Sequence, residues 1–111
     1  MMLITCSGAA AQDWNLRGSD RALPRTEVLA LIEGRTLVFF DDGQSKFSVG
    51  GAYSYTYANG GGSAFGRYEV AEDGTVCIAF RNGFDRCDRY VENAARIVML
   101  TQKGERFPVR P

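Results

Sequence analysis

The stretch Thr75-Val76-Cys77-Ile78-Ala79-Phe80-Arg81-Asn82-Gly83-Phe84-Asp85-Arg86-Cys87 decides the fold. Asn82-Gly83 offers two residues that tolerate positive φ, the conformation that tight hairpin turns require. The flanking segments Thr75–Arg81 and Phe84–Val91 read as strands, and each carries one cysteine. With a three-residue loop, Arg81-Asn82-Gly83 with Gly83 left-handed, Phe80 faces Phe84 and Cys77 lies directly opposite Cys87. A two-residue loop would set Ile78 opposite Cys87 instead, so a disulfide between Cys77 and Cys87 predicts the turn type. Closing about ten residues in this way is worth about 3 kcal/mol on chain-entropy grounds, which is large for a small domain. A Cys-x9-Cys pair in a chain without histidine matches no common zinc or thioredoxin spacing. The pair therefore reads as a structural staple.

Working outward from this hairpin, apolar or alternating segments recur at Arg35–Phe40, Lys46–Val49, Ala52–Ala58, Phe65–Ala71 and Arg96–Thr101. Asp42-Gly43, Asn59-Gly60 and Asp73-Gly74 supply further turn chemistry between them. A last strand falls near Arg106–Val109, where Pro108 favours a sheet edge. One short helix precedes the meander: Thr26 can cap it, Glu27 suits its dipole, and Gly34 can close it. Val28, Leu29, Leu31 and Ile32 give that helix one apolar face. The expectation is a mainly β fold, an antiparallel meander of seven or eight short strands forming a small barrel or curled sheet, with one short N-terminal helix.

The 111 residues suit a single domain. Residues 26–111 form its β-rich body, and residues 12–25 read as a flexible arm for which Trp14 is an anchor. Residues 1–11 end in Ala9-Ala10-Ala11 before Gln12, the small-residue pattern that a signal peptidase cleaves, and read as the remnant of a signal peptide. A second reading places Cys6 at a lipoprotein site, although threonine directly before that cysteine is unusual there. Either reading implies export, to a bacterial periplasm or beyond, where a disulfide persists. No run of apolar residues approaches the roughly 20 that a membrane-spanning helix needs.

Acidic and basic residues balance at 13 each, which leaves no field to attract nucleic acid or anionic lipid. The absence of histidine removes the commonest general base and the commonest transition-metal ligand, and no cofactor motif is present. Tyr53, Tyr55 and Tyr57 alternate with Ser54 and Thr56, so three rings share one face of a strand. That stripe is either a stacking platform for a flat ligand or the core face of a half-buried strand. Alternation with small polar residues is the default of the latter. Arg81, Asp85, Arg86, Asp88 and Arg89 read as cross-strand ion pairs on a solvated face. Asp41 and Asp42 read as turn formers beside Gly43, and Asn59-Gly60-Gly61-Gly62-Ser63 as a hairpin loop that lacks the lysine and helix of a phosphate cradle.

Glu33-Gly34-Arg35-Thr36-Leu37, Asp73-Gly74-Thr75-Val76-Cys77 and Arg86-Cys87 resemble the corresponding features of small exported alphaproteobacterial proteins grouped as domains of unknown function. The resemblance covers roughly Thr26 to Pro108 and implies export and a β-meander with a paired-cysteine hairpin. It supplies no catalytic residues. The function expected is thus a non-enzymatic binding or interaction module, its partner an envelope protein or a small ligand, with Tyr53, Tyr55 and Tyr57 the candidate contact residues. The alternatives are a secreted protease inhibitor that inserts the 13–25 arm and a histidine-free enzyme using carboxylates such as Glu69 or Asp85 near an arginine.

Overall fold

The computed structural model describes residues 14–111, so the expected signal-peptide remnant and Cys6 lie outside the described residues. Nine strands form one antiparallel sheet: β1 (Arg21–Ala22), β2 (Arg35–Val38), β3 (Gln44–Phe47), β4 (Ala52–Thr56), β5 (Ser63–Val70), β6 (Val76–Phe80), β7 (Asp85–Asn93), β8 (Arg96–Thr101) and β9 (Arg106–Pro108). From β2 to β9 each strand pairs with the next, and β1 adds to β7. Among the described residues one α-helix, α1 (Arg25–Ile32), lies between β1 and β2.

The turn that the cysteines imply is the one that forms. Cys77 pairs with Cys87 across β6 and β7 and is joined to it by a disulfide. Phe80 N–H donates to the Phe84 carbonyl at 2.8 Å and Gly83 adopts φ 90°, so the loop is Arg81-Asn82-Gly83. The same three-residue form recurs between Ala71 and Thr75 and between Thr101 and Glu105.

The sheet curls because its strands twist and its concave face carries the bulk. Phe47, Tyr53, Tyr68, Val76, Ile78, Tyr90 and Met99 fill that interior. On β4, β5 and β6 the register is Tyr53–Gly66–Phe80, and the two rings meet edge to face across the glycine, their centroids 5.9 Å apart. The outer strands of the meander come together at an isolated bridge between Phe39 and Val109, with Arg110 N–H donating to the Val38 carbonyl at 2.7 Å. Val28 and Ile32 of α1, both fully buried, join this core with Leu23, and the helix packs where β2 begins and β5 ends.

Two local expectations are corrected. Thr26 does not cap α1. Pro24 occupies the N-cap position in extended conformation and its carbonyl accepts from Val28 N–H at 3.0 Å, which places Thr26 inside the first turn. Nor are residues 14–25 loose. Trp14, 9% exposed, packs on the convex face with Val91, Val98 and Leu100. β1 extends the ladder of β7, and the wholly enclosed Asp20 side chain receives two hydrogen bonds of 2.9 Å from Arg106. An indole and a paired carboxylate hold more than the polar composition of this segment implies.

Candidate functional site

Opposite the helix, where β2, β4 and β8 finish, the curled sheet stays open, and a cavity of about 370 Å³ occupies its mouth. Period-two alternation delivers its walls. β4 contributes Tyr55 and continues to Tyr57, β9 contributes Phe107, and Phe39 and Phe84 stand at the ends of neighbouring strands. Met99 and Thr101, both buried on β8, form the floor. Asp41, Asp85, Glu105 and Lys103 stand around the opening.

The tyrosine stripe is therefore not one environment. Tyr53 is 3% exposed, belongs to the core, and shares a 2.9 Å hydrogen bond with Ser45. Burial pushes its phenol pKa up. Tyr55 is half-buried, and its hydroxyl lies over Gly43, where a β-carbon would overlap it. Tyr57 is 52% exposed at the rim, its ring meeting that of Tyr55 at 77° with centroids 4.9 Å apart. Core and rim thus succeed one another along β4 and its continuation.

Beside the floor is a buried ion pair. Arg86 Nη2 lies 3.0 Å from Asp88 Oδ2, Arg86 Nε donates to the same oxygen at 3.1 Å, and Nη2 also reaches the Tyr53 hydroxyl at 3.3 Å. The Asp88 side chain is 1% exposed, and the desolvation of its carboxylate pushes its pKa up to about 6 against the opposing pull of Arg86. Neighbouring Tyr90 is wholly buried and its phenol is pushed far above the ordinary range. The Arg86 guanidinium lies between two rings, 6.0 Å from the centroid of Tyr55 and 5.8 Å from that of Phe80, and its outer part lines the cavity. The expectation of a solvated charged face on this hairpin is overturned for Arg86 and Asp88: both project inward, on the face opposite Cys87. The signal was present in the sequence, since Asp88 and Tyr90 share a parity that Cys87 does not.

Other candidates fall elsewhere. Glu69 is exposed and pairs in register with Cys77; it and Asp85 line a second, shallower cavity of about 720 Å³ with Arg67 and Arg86, and Asp85 also stands at the mouth. Asp41 Oδ1 accepts from Gly43 N–H at 2.9 Å, as a turn former does, and also faces the cavity. Asp42, at φ 73°, pairs with Arg110. The glycine-rich loop forms a 3-10 turn at Ala58–Gly60. Among the described residues no cluster of three cysteines or carboxylates is placed to hold a metal, and no helix is long and apolar enough to cross a membrane.

No protein-family model, curated protein or solved structure matches the chain. The functional reading therefore rests on the cavity and its lining. Phe39, Phe84, Phe107, Thr101 and Glu105 escaped sequence reasoning because they come from separate strand ends that only the curl brings together.

Proposed function

We propose that the protein is a non-enzymatic binding module of the periplasm or the extracellular space that takes a small ligand into the open mouth of its curled sheet. The observation that carries this reading is the aromatic cavity beside the anchored Arg86. At about 370 Å³ it falls within the roughly 300–1,000 Å³ typical of small-molecule sites, which combine apolar walls with a few fixed polar groups. Tyr55 and Phe107 lie on paired strands, and Tyr57 and Phe84 extend β4 and β7 through backbone hydrogen bonds to Gly62 and Phe80, so the aromatic walls are held by the scaffold. The disulfide, the signal-peptide-like beginning and the resemblance to exported domains support the compartment. The inhibitor alternative has less support: it needs a free arm, whereas residues 14–23 are fastened by Trp14, β1 and Asp20.

A fragment screen by NMR on the labelled protein tests the reading. Hits whose shift changes cluster on Tyr55, Tyr57, Phe84 and Thr101 are expected. Hits that perturb only the convex face, or none at all, would remove the mouth as a binding site.

A further inference from the structure

The charge inventory of the mouth narrows the ligand class, an inference that rests on the binding reading above. Asp41, Asp85 and Glu105 stand around it, against Arg86 and Lys103. Arg86 is already neutralised by Asp88, which bonds it through Nε and Nη2. Lys103 is then left to offset three carboxylates, so the opening favours positive charge. The walls favour it as well. Tyr55 and Tyr57 meet in a near-perpendicular corner, Phe84 and Phe107 face the same space, and aromatic faces attract cations through the ring quadrupole. The fold already uses that chemistry where the Arg86 guanidinium lies over Tyr55 and Phe80.

We infer that the mouth binds a small organic cation of the methylated-ammonium class, its charged head held against Tyr55 and Tyr57 and its field matched by Asp41, Asp85 and Glu105. A compact ammonium ion gains less from the rings, which cannot replace the hydrogen bonds of its hydration shell and leave that task to the carboxylates alone. A methylated head presents apolar surface together with diffuse charge, which is what an aromatic corner flanked by carboxylates matches.

The probes are choline, its neutral isostere 3,3-dimethylbutan-1-ol and the anion 3,3-dimethylbutanoate, each titrated into the full chain by NMR with shifts followed at Tyr55, Tyr57 and Thr101. Choline is expected to bind about tenfold tighter than the neutral isostere, with an advantage that shrinks as salt is added. Asp41→Asn combined with Glu105→Gln keeps the acceptors for Gly43 N–H and the Thr101 hydroxyl while removing two charges, and should erase most of that advantage. Tyr57→Phe should keep choline binding and Tyr57→Ala should lose it, and because Tyr57 is half-exposed both variants should retain the parent's fold, checked by their amide spectra. Equal binding of choline and the isostere, or tighter binding of the anion, would overturn the cation assignment while leaving a ligand-binding mouth. Failure of all three probes to shift any mouth residue would overturn the assignment and count against the mouth itself.

Discussion

Arg86 and Asp88 stand two residues apart on one face of β7, their charges 3.0 Å apart, with 29% of the arginine side chain exposed and 1% of the aspartate. The aspartate is thus the enclosed half of the pair, and it holds the arginine from behind while the guanidinium reaches the cavity. A buried pair of this kind is weak evidence for stability, since desolvation can cost as much as the attraction returns. Its consequence here is positional: the cation at the mouth is fixed, and its charge is offset from within the fold.

Asp88 makes stability depend on pH in an unusual direction. Its carboxyl pKa is raised by burial, from 3.8 to about 6, so the folded chain binds this proton more readily than the unfolded chain does. The contribution is therefore fully favourable below about pH 4 and is lost as pH rises through about 6, by up to about 3 kcal/mol. Urea unfolding of the parent and of Asp88→Asn across pH 4 to 7 should show the parent losing ground to the variant as pH rises. Parallel profiles would mean that Asp88 titrates normally.

Asp20 acts in the opposite sense. Hydrogen bonds from Arg106, then from Asn93 and the Arg17 backbone, hold its carboxyl well below the ordinary range, so its contribution is present above about pH 4 and is lost as pH falls further. Asp20→Ala leaves the largely enclosed Arg106 without its partner and should cost about 3 kcal/mol at neutral pH. Because Asp20 lies between Trp14 and β1, the variant should also shift the emission of the single tryptophan to longer wavelength and open it to acrylamide. A stable variant with unchanged emission would show that β1 and Trp14 hold the segment unaided.

The disulfide and the register are separable. Reducing it, or replacing Cys77 and Cys87 by serine, frees a loop closed by residues ten apart in sequence and should lower stability by about 3 kcal/mol. The register should survive, because Gly83 and the inward set of Val76, Ile78, Asp88 and Tyr90 specify it independently. Cross-strand NOEs between Cα protons of β6 and β7 in the double variant check this, and a one-residue slip would show that the disulfide imposes the pairing.

These residues also mark how far the sequence was legible. Wherever a glycine followed Asp or Asn, the turn and its flanking strands could be placed, and the cysteines went further by fixing which residues face one another. The interior pair was missed because charged residues read as surface when their parity against Cys87 and Tyr90 is not followed along the strand. The Asp20–Arg106 clamp was invisible for a different reason: its partners are 86 residues apart, and no local pattern links them. The cavity combines both difficulties, since its rings lie on strand ends whose meeting depends on the curvature of the whole sheet.

The turn between β7 and β8 carries no local signal at all, and its conformation predicts a gain. Asn93 pairs with Arg96, leaving the two-residue loop Ala94-Ala95, and both alanines take left-handed conformations at φ 52° and 65°. A two-residue turn with positive φ at both positions prefers Asn-Gly, because a β-carbon in that region crowds the following carbonyl at roughly 1–2 kcal/mol per residue. The strands impose the turn: Tyr90 and Val91 on β7 lock against Met99 and Val98 on β8, burying side chains on both faces of the sheet, and the chain between them must close in two residues. Packing thus overrides local preference. Ala94→Asn with Ala95→Gly should relieve this conflict without touching the core, raising stability by about 1–2 kcal/mol. Urea unfolding checks the gain, and the urea dependence should be unchanged because the same surface is buried. A variant no more stable than the parent would show that the unfolded chain's greater freedom with glycine cancels the relief.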